Sequence, residues 1–365
     1  MHIVVSGGGT AGHIYPALAF AQIAKNNGND VSFAGVPGSL EENLAKKAGV
    51  DFIGFQAKGF NRSKPLSLIT SVKIIMKSTR LASEWLRKNN VNLVVGFGGY
   101  VSIPVGRAAL KNNIPLVCHE QNSHMGMANK YFLNRANGIA LTYSQALDGQ
   151  SASAKVLVTG NPVRESVLLA NREESRKKLG LSSDDILLTV FGGSLGARQI
   201  NSAIVQAKDK LLAIPNLRIV QVAGPSQYES VCDQLNLSSE EKKRWRMHDY
   251  IDDMPEILSA SDLVVSRAGA TSLAEICALA LPAILVPYPY ATADHQTKNA
   301  QECVNSGSAK MISDSEILGH KFQSLLLECL TNKGAREAMK ASAAMQNARN
   351  AGLDLYKFAV SFTSA

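Results

Sequence analysis

His2-Ile3-Val4-Val5-Ser6-Gly7-Gly8-Gly9-Thr10-Ala11-Gly12-His13 opens the chain, and Leu187-Leu188-Thr189-Val190-Phe191-Gly192-Gly193-Ser194-Leu195-Gly196-Ala197-Arg198 echoes it in the second half. Each stretch reads as a buried strand, a glycine turn and the start of an amphipathic helix. A strand that is apolar throughout needs cover on both faces, which crossover helices supply in a parallel sheet. Two such stretches in one chain predict an α/β protein of two Rossmann-like domains. A ligand is then expected at the carboxyl ends of the strands, where the domains face each other across a cleft.

Outward from these two stretches, short β-rich runs alternate with helical patterns. Strands are expected at 2–6, 31–35, 52–55, 93–97, 115–119 and 139–142, then at 186–191, 218–223, 247–250, 263–266 and 283–287. Asn161-Pro162-Val163-Arg164 follows a short strand and precedes a charged helix, so the domain boundary is expected there. With 45% hydrophobic and 19% charged residues in 365, there is apolar material for two cores, and disorder is excluded. The net charge of +8 points to an anionic partner: a phosphorylated substrate, an acidic membrane surface or nucleic acid. No nucleic-acid-binding module is recognisable. Five scattered cysteines without a C-x-x-C pair argue against a disulfide framework and a zinc site. No signal peptide is expected, and the longest apolar stretch, 278–291, is broken by three prolines and cannot span a bilayer.

Gly7, Gly9 and Gly12 form a G-x-G-x-x-G pattern, which lets the backbone approach a ligand and aims helix N–H groups at an anion. A nicotinamide site would also need an acid at the end of the second strand. That strand ends Ala34-Gly35-Val36-Pro37, with Asp30 before it, so the oxidoreductase reading is demoted. His13 is the best placed of the seven histidines for chemistry, as a general base directly after the glycines. The plainer alternative is an imidazole that fills a cap. The loop 192–198 is a second phosphate-type turn in which Ser194 and helix N–H groups could hold a diphosphate. It lacks the Gly-Lys-[Ser/Thr] ending of a P-loop, so ATP hydrolysis has no support.

Arg267 to Glu275 follows another strand and begins a helix, with Ala270 to Ser272 in its first turn. Glu275 on the next turn could accept two hydrogen bonds from a ribose diol, although a solvated helix glutamate fits the spacing nearly as well. His119-Glu120-Gln121-Asn122 and Asp294-His295-Gln296 add polar clusters at element ends. No Asp-x-Asp occurs, so the usual carboxylate clamp for a metal–nucleotide pair is missing, and neither metal nor cofactor is expected.

These motifs, with Gly98-Gly99-Tyr100 and Ile251-Asp252-Asp253-Met254, follow one another in an order that resembles the bacterial MurG family over essentially the whole chain. The resemblance implies a GT-B glycosyltransferase fold: a first domain 1–161, a second 162–341, and helices from about 342 to 365 crossing back to the first. It implies transfer of N-acetylglucosamine from UDP-N-acetylglucosamine to the C4 hydroxyl of the muramoyl sugar of lipid I. The product is lipid II, for peptidoglycan and hence cell-wall growth and division. The reaction inverts the anomeric carbon, without a tightly held metal, at the cytoplasmic face of the membrane. Carried over by position, Thr10, Ala11 and Gly12 line the acceptor-side loop, His13 is the base and Glu120 the second candidate. Asn122 touches the N-acetylglucosamine, Arg164 and Ser194 contact the nucleotide, and the Ile251 backbone pairs with uracil. Ala270, Thr271, Ser272, Leu273, Ala274 and Glu275 hold phosphate and ribose, and Gln296 reads sugar hydroxyls. The chain departs from some relatives at Ala270-Thr271-Ser272, where a bulkier Ala-Leu-Thr occurs, and at His295, where a second glutamine occurs. A UDP-sugar epimerase built on the same scaffold is the alternative.

The segment 58–90 carries Lys58, Arg62, Lys64, Lys73, Lys77, Arg80, Arg87 and Lys88 against the single acid Glu84. Apolar residues, Trp85 among them, are interleaved. A peripheral dock on an anionic membrane, with an inserted aromatic, accounts for both features.

Overall fold

The structure, a computed structural model, describes residues 1–59, 65–193, 196–345 and 347–363. The chain divides into two compact units, one built from Met1–Glu165 and Ala348–Ala365, the other from Ser166–Asn347.

The first unit holds seven parallel strands: β1 (His2–Ser6), β2 (Asp30–Gly35), β3 (Asp51–Gly54), β4 (Leu93–Gly96), β5 (Leu116–Glu120), β6 (Gly138–Leu141) and β7 (Lys155–Val158). Their order is β3-β2-β1-β4-β5-β6-β7, so the direction of winding reverses between β1 and β4. Strand β1 shows why its sequence is apolar without a break. Ile3 and Val5 pack with Phe20 of the helix Ala11–Asn26 and with Leu355 and Phe358 of the helix Ala351–Val360. Val4, on the opposite face, packs with Leu86 of the helix Pro65–Lys88 and Val105 of the helix Ser102–Lys111. Successive side chains alternate between faces, and both faces are covered. A Cβ on Gly138 would lie 2.9 Å from the Phe358 ring, so glycine in β6 lets that returning helix lie flat on the sheet.

The second unit has six parallel strands: β8 (Ile186–Phe191), β9 (Leu217–Val222), β10 (Trp245–His248), β11 (Leu263–Ser266), β12 (Ala283–Leu285) and β13 (Ala309–Met311). Their order is β10-β9-β8-β11-β12-β13. Strand β10 begins at Trp245 rather than 247. A capping box between Ser238 and Glu241 sets the preceding helix Ser239–Arg244, and Trp245 pairs with Ile219 and donates from Nε1 to Gln221 Oε1 at 3.2 Å. Strand β13 was not expected, because Ala-Lys-Met carries no β-branched residue; its pairing with β12 makes it a strand.

The helix Ala270–Ala278 ends in a Schellman motif: Ala280 N donates to Cys277 O and Leu281 N to Ile276 O, both at 3.0 Å. Ala280 is thereby held at φ 52°, where a Cβ is strained. Ala280→Gly is expected to stabilise the second unit by about 0.5–1 kcal/mol, the strain relieved less the entropy glycine adds to the unfolded chain. A raised urea midpoint at unchanged slope is the measurement that checks it.

Candidate active site

In the first unit the chemistry gathers at the carboxyl ends of β1, β4 and β5. Thr10 precedes the helix Ala11–Asn26 in extended conformation; its side chain caps no helical N–H, while its carbonyl accepts from His13 N at 3.1 Å. His13 Nδ1 lies 3.0 Å from Gly8 O and 3.3 Å from Thr10 Oγ1. The carbonyl can only accept, so Nδ1 carries a proton, and in the neutral ring the lone pair is on Nε2. Gly98 and Gly99 wall the ring: a Cβ on Gly98 would sit 3.4 Å from Nε2, and one on Gly99 would run into Gly8 O. At φ +75° Gly99 is also in the left-handed region. Tyr100 edges the same turn, its ring 3.4 Å from where a Gly9 Cβ would be.

Glu41, absent from the sequence reading, is buried against this turn. Its Oε1 accepts from Val36 N at 3.3 Å and lies 2.7 Å from the position of a Gly8 Cβ. The side chain fills the crevice beside the first βα turn, an added reason for no dinucleotide there.

Glu120 is buried and heavily engaged. Oε1 accepts from Asn122 N at 3.1 Å, and Oε2 from Gly126 N at 2.9 Å and Asn129 Nδ2 at 2.8 Å. Its geometry is that of a staple closing the 120–126 loop, which positions Asn122. Asn129 is a second positioning residue that sequence reasoning missed; its Nδ2 also donates to His119 O at 3.0 Å. His119 is fully buried, its Nε2 donating to Gly160 O at 2.9 Å and its Nδ1 accepting from Gln121 Nε2 at 3.0 Å. Burial pulls this imidazole down to about 4, against a weaker upward pull from the Gly160 carbonyl. Arg164 lies with its guanidinium 4.8 Å from the centre of the Tyr15 ring, which ties the 161–164 segment to the first unit.

In the second unit the loop after β8 includes Ser194, which lies outside the described residues. The helix Ala270–Ala278 follows β11, with Gly269 at its N-cap and no side chain satisfying its first N–H groups. Thr271 Oγ1 is buried with no hydrogen-bond partner among the described residues, Thr271 and Ser272 are half-buried, and Leu273 turns into the interior. Ala270 and Glu275 are buried, and Ala274 is half-buried. A buried carboxylate on the second turn is not the solvated helix glutamate that spacing alone allowed. Arg267 is paired with Asp314 at 2.5 Å and donates to Pro287 O at 3.1 Å, which fixes the floor beneath this helix. Gln296 Oε1 accepts from Tyr288 N at 3.0 Å, which leaves its amide N–H groups as donors. Just before it Ala293 and Asp294 both take left-handed conformations, φ 53° and 52°, a kink that starts the helix His295–Asn305. Strain of this kind concentrates at ligand sites. Ile251, half-buried after β10, packs on Leu187, Val220 and Ile257, which steadies its backbone.

Comparison with known proteins fits this geometry. Residues 3–141 match the glycosyltransferase family 28 N-terminal domain, and residues 187–354 the family 28 C-terminal domain. The chain is 40% identical over 358 residues, 98% of each sequence, to the UDP-N-acetylglucosamine–N-acetylmuramyl-(pentapeptide) pyrophosphoryl-undecaprenol N-acetylglucosamine transferase of Leuconostoc mesenteroides. The structure matches that of Acinetobacter baumannii MurG with a TM-score of 0.76 at 26% identity, over 99% of both chains. A putative UDP-N-acetylglucosamine 2-epimerase from Listeria monocytogenes matches at a TM-score of 0.70 with 15% identity, over 100% of this chain and 97% of that one, a likeness of fold alone. Two parallel-sheet domains, both halves of family 28 and a full-length relative together place the chain in the MurG family of N-acetylglucosaminyltransferases.

Proposed function

We propose that this protein transfers N-acetylglucosamine from UDP-N-acetylglucosamine to the C4 hydroxyl of the muramoyl sugar of lipid I, forming lipid II. The observation that carries the mechanism is His13, whose Nδ1–H is committed to Gly8 O, so that the neutral ring offers Nε2 as the base. Nε2 takes the proton from the C4 hydroxyl as its oxygen attacks the anomeric carbon from the face opposite the diphosphate. The bond from that carbon to the diphosphate oxygen breaks, its electron pair leaves with UDP, and the configuration inverts. The open N-terminus of the helix Ala270–Ala278, with Thr271, receives the diphosphate charge, Arg164 and Ser194 add nucleotide contacts, and Ile251 meets uracil. Glu275 holds the ribose, while Asn122 and Gln296 hold the sugar. Thr10, Ala11 and Gly12 line the acceptor side.

Incubation with UDP-N-acetylglucosamine and a short-chain lipid I analogue, followed by mass spectrometry, tests this reading. The acceptor should gain one N-acetylhexosamine. A UDP-sugar isomerised with the acceptor untouched would favour the epimerase. For the donor site, Glu275→Ala is expected to weaken UDP-N-acetylglucosamine by about 1–3 kcal/mol, the cost of unmade hydrogen bonds to a charged acceptor. Calorimetry in chelator measures it, with a thermal melt to show the variant folded.

The docking face we assign is the helix Pro65–Lys88. Among the described residues no helix is long and apolar enough to cross a membrane. Arg62 and Lys64 lie outside the described residues. Lys73, Lys77, Arg80, Arg87 and Lys88 are exposed on this helix, beside exposed Val72, Met76 and Leu81. Trp85 is not the inserted aromatic: its ring stands edge-on to His2 at 5.7 Å and packs on the core. Met76, 62% exposed, is the most exposed of these three apolar side chains and the one we place in the lipid. Charge reversal at Lys73, Lys77 and Arg80 is expected to weaken binding to anionic vesicles at least ~100-fold, at about 1 kcal/mol per basic residue, with UDP affinity unchanged. Co-sedimentation at low and high salt checks it.

A further inference from the structure

Cys277 and Cys303 come from different helices, Ala270–Ala278 and His295–Asn305, yet their sulfurs lie 4.0 Å apart. Both are buried, with 8% and 4% of their surface exposed. Their thiols are unlike: Cys303 is lowered, chiefly because the Cys277 S–H donates to it, and Cys277 is correspondingly raised. Cys118 and Cys329 are buried thiols pushed up by burial, without a cysteine partner among the described residues. The transfer reaction uses no thiol. Each paired helix carries one of the residues proposed to hold the donor: Glu275 lies two positions before Cys277, and Gln296 lies at the start of the helix that bears Cys303.

We propose that Cys277 and Cys303 form an oxidisable dithiol, which hydrogen peroxide closes to a disulfide joining the Glu275 helix to the Gln296 helix, and that closure weakens donor binding. The Cys303 thiolate attacks one peroxide oxygen and the O–O bond breaks. The hydroxide released takes the Cys277 proton and leaves as water, with sulfenic acid on Cys303. Cys277 then attacks that sulfur, the S–O bond breaks, and the second hydroxide leaves as water with a proton from solvent. The sulfurs lose two electrons, which reduce one peroxide to two waters. A disulfide needs sulfurs about 2.05 Å apart, so closure from 4.0 Å must turn the two side chains toward each other, and it ties together the helices that carry them. A tie that draws Glu275 away from the ribose loses the hydrogen bonds between them, so donor affinity should fall about ten- to a hundredfold. The link to the donor rests on the function proposed above; the disulfide itself does not.

The test treats the full chain with hydrogen peroxide, blocks free thiols under denaturing conditions and maps peptides by mass spectrometry. The expected result is a linked 277–303 peptide, reversed by dithiothreitol and absent from Cys303→Ser and from Cys303→Ala. Calorimetry with UDP should show the weakened affinity only in the oxidised wild type. Free Cys277 and Cys303 after peroxide would overturn the site. A linked peptide with unchanged UDP affinity would overturn the coupling. A reduced protein that fails to bind UDP would overturn the donor reading and the coupling with it, while the peptide map still decides the site.

Discussion

His13→Ala should lower kcat by about 10²–10⁴-fold, the range for loss of a positioned general base, while UDP affinity stays at the wild-type value. The imidazole also braces its turn through Nδ1 and Gly8 O, so alanine alone would not separate chemistry from structure. His13→Asn separates them, because its Nδ2 can still donate to the carbonyl but the side chain has no basic nitrogen. The asparagine variant is expected to melt like wild type and to turn over like alanine. Single-turnover rates with a lipid I analogue measure it, and a near-normal rate in His13→Asn would move the base elsewhere. Glu120 is a poor substitute, because both its oxygens already accept hydrogen bonds from the loop they close.

The second large effect is on stability. His119 is buried and neutral, pulled down to about 4 from an ordinary 6.5 by the loss of water around it. In the unfolded chain the same ring binds a proton near its ordinary value, so the unfolded state gains protons first as pH falls. The stabilisation is whole above about 6.5, shrinks through the window below it and is lost by about 4, in total about 3 kcal/mol. His119→Gln should therefore show a shallower loss of stability than wild type between those limits. Urea midpoints taken at intervals from neutral pH downward provide the comparison, and parallel curves would mean another group carries the titration.

The alternation of apolar runs with helical patterns was enough to read most of both sheets, because a central strand such as β1 is covered on two faces and has few ways to be polar. The strand β13 escaped, since a three-residue edge strand is defined by its neighbour rather than by its own residues. The place of His13 directly after the glycines is plain in the sequence, but the partner of its Nδ1 is not; that depends on a carbonyl brought round by the turn. Glu120 read as an acid at a strand end and so as a spare base. Only the closed loop shows its oxygens committed, and Asn129, one of the donors, lies nine residues away on a separate helix. Glu41 carried no signal at all, because its meeting with Gly8 is a matter of packing. The charge on the helix Pro65–Lys88 was plain, whereas composition could not say that Trp85 turns inward and Met76 outward.

The returning helix Ala351–Val360 has a consequence for biosynthesis. The second unit is an insertion in the first, entered after Glu165 and left before Ala348. Residues on β1 and on the helix Ala11–Asn26 leave the ribosome early, but Leu355 and Phe358, which cover them, are made only after all of the inserted unit. The first unit is begun first and completed last. Throughout that interval Ile3, Val5 and Phe20 lack part of their cover, a nascent chain with an open apolar face of the kind that chaperones bind.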